Sequence, residues 1–112
     1  MKNKGVSLKV SKNQLNQLDD LVEFFESDKG KIIRRGIYLI NKYNLDYSEI
    51  QDEGSKIEII RSNFSDEDMK IINKITNEYN IKMQDLIRFS INLQYNILED
   101  LKEYEKKLLT GR

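Results

Sequence analysis

The chain has 112 residues, 38% of them hydrophobic and 34% charged, with 19 basic side chains against 19 acidic ones and no proline, cysteine or histidine. That length bounds it to one domain, and the missing cysteines exclude disulfides and thiolate metal sites. No apolar run approaches the ~20 residues of a membrane span, and no signal peptide is recognised, so the expectation is a cytoplasmic protein without membrane contact, metal or cofactor.

The zero net charge hides an uneven distribution. Residues 1–12 carry Lys2, Lys4, Lys9 and Lys12 with no acid, whereas residues 47–55 carry Glu49, Asp52 and Glu53 with no base. A basic start on a neutral body fits a protein that meets phosphate on one side.

In chain order, Val6, Leu8 and Val10 alternate with Ser7 and Lys9, the period-two pattern of a half-buried strand. Ser11 sits where a helix N-cap belongs. Apolar residues then recur at helical spacing, Leu15, Leu18, Leu21, Val22 and Phe25, until the stop signal Ser27-Asp-Lys-Gly30. A second helix over 29–44 is apolar across a wide arc (Ile32, Ile33, Ile37, Leu39, Ile40, Tyr43), which implies burial on several sides.

The same order then returns. A shift of 54 residues lays Ser11–Leu21 on Ser65–Ile75 and Lys31–Ile37 on Asp85–Ile91 without a gap. In the second copy Ile60 and Phe64 take the buried strand positions, and Ile59, Arg61 and Asn63 face the other way. Ser65 is the next N-cap, followed by Asp66, Glu67 and Asp68 at the positive end of the helix dipole. Met69, Ile72, Ile75 and Tyr79 carry that helix to Asn80. The last helix starts near Lys82 and meets no stop signal until Thr110-Gly111. Its excess length carries Ile97, Leu101, Tyr104 and Leu108 at heptad-like spacing. Gly36 and Ser90 are matching small residues that permit the two second helices to cross closely. Two units are too few for a solenoid, which needs about three, so a closed two-fold arrangement with a shared core is expected.

Strand, helix, turn, helix ending in an apolar-Ile-Arg-x-small-Ile signature resembles the ribbon-helix-helix DNA-binding family, the fold of the Arc and methionine repressors. The residues that carry the likeness are Val6-Ser-Leu-Lys-Val10, Lys31-Ile-Ile-Arg-Arg-Gly-Ile37 and Asp85-Leu-Ile-Arg-Phe-Ser-Ile91. Tandem units of this kind resemble regulators of archaeal viruses and a relaxosome accessory protein of conjugative plasmids. The resemblance implies a mostly α fold with a short two-stranded antiparallel β-ribbon, a tandem ribbon-helix-helix pseudo-dimer. Residues 1–46 form the first unit, 47–55 the linker, 56–98 the second unit and 99–112 a C-terminal helical extension. About ten extended linker residues reach roughly 33 Å, enough to cross a small domain.

The family inserts its ribbon into the major groove. With Leu8 and Ser62 taken as the centre, the outward residues expected at base edges are Ser7, Lys9, Arg61 and Asn63, all suitable donors or acceptors. The bland alternative is a solvated ribbon face. The family also holds DNA phosphates at the starts of its second helices. That points to Lys29, Gly30 and Lys31 in one unit and Lys82, Met83 and Gln84 in the other, with Lys4 and Lys12 as further phosphate contacts. Both copies lack the Ser or Thr common in the family here. Glu58 and Asp66 would repel phosphate near the second strand. For Arg34 and Arg88 a DNA contact is the alternative, and a structural ion pair within the helical layer is expected.

The expected function is a sequence-specific transcription regulator, a repressor, that reads a short non-palindromic element of double-stranded DNA. The alternatives are a relaxosome- or partition-type accessory factor, an antitoxin with a protein-docking tail, and a helical interaction protein without a nucleic-acid role. The apolar row of the C-terminal helix either folds back on the chain's own core or joins two chains, and a homodimer is the expectation. Enzymatic activity is not expected, since no His or Cys is present for acid–base or nucleophilic work. Richness in Lys, Asn and Ile hints at an AT-rich genome such as that of a virus or plasmid.

Overall fold

A computed structural model describes residues 4–49 and 54–110, with the Thr110 side chain set aside. Lys2, the linker centre at 50–53 and the stop signal at Gly111 lie outside the described residues. The element order is β1 (Lys4–Ser11), α1 (Lys12–Phe25), α2 (Lys29–Lys42), β2 (Lys56–Phe64), α3 (Asp66–Tyr79) and α4 (Met83–Thr110). The described residues are thus mostly helical, forming four helices and one two-stranded antiparallel sheet in which β1 pairs with β2.

Local chemistry fixes both strand-to-helix corners in the same way. Ser11 Oγ accepts the Gln14 N–H at 3.1 Å while Gln14 Oε1 accepts the Ser11 N–H at 3.2 Å. Ser65 and Asp68 repeat this reciprocal cap at 3.1 and 2.9 Å. Each cap satisfies two donors that a helix start leaves without partners. Glu26 and Asn80 close α1 and α3 in the left-handed conformation, at φ of 50° and 52°.

One core serves all six elements. Leu8, Val10, Ile60 and Phe64 line the inner face of the sheet and meet Leu18 and Leu21 of α1, Ile33 and Ile37 of α2, Ile72 of α3 and Leu86, Ile87 and Ile91 of α4. The arc expected on α2 is narrower than its sequence suggests. Leu39 is only partly buried and Tyr43 is exposed at the helix end, beneath the Lys42 ammonium.

Helices α2 and α4 cross closely at Gly36. A Cβ on Gly36 would collide with Ser90 Oγ and Gln94 Nε2, so only glycine fits there. Buried Gln94 donates to the Ile32 carbonyl at 2.8 Å and accepts from Arg35 Nη1 at 2.8 Å. These bonds satisfy a polar amide that would otherwise be costly in the core.

The connection out of α2 is anchored before it reaches its centre. Tyr47, counted as linker in the sequence, packs edge-on against Phe89 at 5.2 Å, and Asp46 accepts the Tyr79 hydroxyl at 3.0 Å. At the other end of the chain, α4 leaves the body. Its 28 residues span about 42 Å at 1.5 Å per residue, and residues 99–109 are all exposed.

Candidate nucleic-acid interface

The pleat divides the sheet into two chemically different faces. Leu8, Val10, Ile60, Ser62 and Phe64 are buried beneath it, whereas Gly5, Ser7, Lys9, Ile57, Ile59, Arg61 and Asn63 are exposed above it. All four residues expected at base edges therefore share one outward face. Their side chains make no hydrogen bond or ion pair among the described residues.

The register corrects the expected centre by one residue. Ser7 stands opposite Arg61, whereas Leu8 pairs with Ile60 and Ser62 with Val6. Ser7 and Arg61 are also the residues that the 54-residue shift superposes. Reading outward from this pair, Gly5 faces Asn63 and Lys9 faces Ile59. Asn63 Oδ1 would lie only 3.3 Å from a Cβ on Gly5, so the missing side chain leaves room for the amide.

Two arginines hold the ribbon from below. Arg88 of α4 donates from Nη2 and Nε to the Lys9 carbonyl at 2.7 and 3.0 Å. Arg34 of α2 donates to the Asn63 carbonyl at 2.9 Å. The shift of 54 superposes Arg34 on Arg88 and Lys9 on Asn63, so the same brace occurs twice, each time from one half to the other half's strand. Arg88 also forms an ion pair with Asp85 at 3.5 Å. Arg88 thus keeps an ion pair within the helical layer, as expected, and adds the ribbon carbonyl, whereas Arg34 bonds a ribbon carbonyl instead of an acid.

The two second-helix starts differ from each other. At α2, Asp28 is the N-cap and its carboxylate accepts the Lys31 N–H at 2.9 Å. Lys29 lies 3.8 Å from Asp19 and Lys31 lies 3.9 Å from Asp28, so both lysines have acidic neighbours. Gly30 packs against Arg34 and Ser62. At α4, Lys82 and Gln84 are exposed, Met83 is half-buried, and Asp85 accepts the Lys82 N–H at 3.2 Å. An open cleft of about 310 Å³ lies there, lined by Ser7, Leu8, Lys9, Lys56, Ile59, Gln84 and Arg88. Lys4 at the start of β1 and Lys12 at the start of α1 are exposed.

Four residues at this face and its cleft have no role expected from sequence, among them Ile57, 71% exposed. Lys56 lies in the cleft and falls on Lys2 under the repeat shift, a signal present in the sequence. Ile59, 61% exposed on the outward face, was recognisable as facing out but was given no partner. Gly5 faces Asn63 only in the register centred on Ser7 and Arg61, not in one centred on Leu8 and Ser62.

Asp68 and Tyr38 flank the second strand-to-helix corner, where the tyrosine hydroxyl donates to Asp68 Oδ1 at 2.7 Å. Burial alone would raise the Asp68 carboxyl, but hydrogen bonds from Tyr38 and Ser65, with the Arg34 charge, hold it below its ordinary value. The same bond to Asp68, followed by burial, raises the Tyr38 hydroxyl. Among the described residues no cluster of acidic side chains is arranged to hold a metal ion, and no helix is long and apolar enough to cross a membrane.

No protein-family model, curated protein or solved structure matches this chain.

Proposed function

We propose that the chain is a tandem ribbon-helix-helix pseudo-dimer that inserts its ribbon into the major groove of double-stranded DNA and acts as a sequence-specific transcription regulator, repressing by occlusion. The observation that carries this reading is the outward face itself. Ser7, Lys9, Arg61 and Asn63 stand together, unpartnered among the described residues, on a ribbon narrow enough for the groove.

A structural protein has little use for this combination. An outward face needed only for solubility does not call for a guanidinium clamp beneath each strand, whereas a reading head gains from rigidity. The donor types suit base edges: Arg61 and Lys9 for guanine O6 and N7, Asn63 for adenine N6 and N7, Ser7 for either. Exposed Ile59 suits the thymine methyl group. The cleft at the start of α4, with Lys56 and Gln84 on its walls, is the best placed phosphate site.

The ribbon differs on its two sides. A homodimeric ribbon repeats one set of residues and reads a palindrome. Here Gly5, Ser7 and Lys9 stand against Ile59, Arg61 and Asn63, so one chain reads a short non-palindromic element.

Selection of bound sequences from random DNA, followed by gel shift with the double variant Lys9→Ala/Arg61→Ala, tests this. The variant is expected to lose specific binding, at about 1–3 kcal/mol for each lost base contact, with its thermal midpoint unchanged. Unchanged specific affinity in a folded variant overturns the reading.

A further inference from the structure

We infer that the exposed extension of α4 is a self-association surface, on which a second copy of this chain lies antiparallel and delivers the end of its own helix into a cleft on the body. Ile97, Leu101, Tyr104 and Leu108 are 50%, 44%, 61% and 55% exposed. Their 4-3-4 spacing places them along one helix face at the d, a, d and a positions of a heptad seam. Among the described residues the row stays largely exposed.

The stripe continues directly into a cleft of about 150 Å³ where α4 meets the body. Phe24 and Phe25 of α1 and Leu39 of α2 form its far wall, and Ile97 and Leu101 belong to both cleft and stripe. A two-helix seam of about 12 residues is marginal by itself. Anchoring its ends in a preformed apolar cleft adds the burial that the seam lacks.

The charges beside the seam select its direction. Asp100 and Lys107 occupy g positions and Glu105 an e position, and all three are exposed. In a parallel pair, Asp100 would face Glu105 of the partner subunit, twice, with like charges. In an antiparallel pair, Leu101 meets Tyr104 of the partner subunit and Ile97 meets Leu108 of the partner subunit. Asp100 then faces Lys107 of the partner subunit, again twice, with opposite charges. That register also sets the partner's Leu108 at the mouth of the Phe24–Phe25 cleft.

Sedimentation equilibrium of the full chain is expected to give twice the 13.3 kDa chain mass, and Leu101→Glu to give the monomer with helix content preserved. A wild-type chain that stays monomeric at hundreds of micromolar overturns the proposal, as does a dimer indifferent to Leu101→Glu. Charge reversal tests the direction. Asp100→Lys is expected to weaken the dimer roughly tenfold, and the double variant Asp100→Lys/Lys107→Asp to restore it. A dimer strengthened by Asp100→Lys alone is the parallel outcome and rejects the antiparallel arrangement.

Discussion

Arg88 grips the main-chain carbonyl of Lys9 with two hydrogen bonds, of 2.7 and 3.0 Å, across 79 residues of sequence. The contact fixes the first strand from beneath, at the residue whose side chain points away from the body. Arg34 holds the Asn63 carbonyl of the second strand with a single hydrogen bond of 2.9 Å. The ribbon is therefore held by its backbone, which leaves the outward side chains free.

Removing the Arg88 brace is expected to cost stability and ribbon order together. Arg88→Ala should lower unfolding free energy by about 1.5–3 kcal/mol, the usual range for a hydrogen bond to a charged group. Arg88→Lys should rescue little of this, because an ammonium cannot reproduce the fork. Urea unfolding measures the first effect. Hydrogen exchange of the β1 and β2 amides, faster in both variants, measures the second.

Gly36 tests the crossing of α2 over α4. An alanine methyl there meets Ser90 and Gln94, both buried and both hydrogen-bonded. Gly36→Ala is expected to destabilise by about 1–3 kcal/mol through overpacking, despite alanine's better helix propensity. Adding Ser90→Gly to that variant should recover part of the loss, which thermal unfolding of the single and double variants would show.

Asp28 is predicted to restrain DNA affinity at the first helix start. Its carboxylate occupies the N-terminal turn of α2, where a phosphate would otherwise be favoured. Asp28→Ser keeps an N-cap side chain while removing the charge. Binding to a selected duplex should tighten several-fold, by up to about 1 kcal/mol at low salt. Fluorescence anisotropy over a salt series reads this directly, with the difference shrinking as salt rises.

The Tyr38–Asp68 bond gives the protein an acid-sensitive corner. The Asp68 carboxyl is held below its ordinary value in the folded chain, so its contribution is present above the unfolded pKa of about 3.9. It is lost as pH falls through the lower folded value. Tyr38→Phe is expected to cost about 1 kcal/mol at neutral pH and to make the acid limb of the stability profile shallower. Urea midpoints taken from neutrality into the acid range test both.

Much of this architecture lies in local sequence. The serines at 11 and 65 announce both helix starts, the alternation of Val6, Leu8 and Val10 sets one strand's faces, and the shift of 54 residues lays one half of the chain on the other. Caps and periodicities involve neighbours within a few residues, so the chain carries them whatever its tertiary structure. Packing decided the rest. It put Ser7 opposite Arg61 at the centre, rather than Leu8 and Ser62, since strand register depends on how two distant inner faces fit over one core. It sent Arg34 and Arg88 to strand carbonyls, because a backbone acceptor 29 or 79 residues away leaves no side-chain signature. It also left the α4 stripe exposed among the described residues: helical spacing names the face that is apolar, but only the placement of the other elements shows whether they bury it.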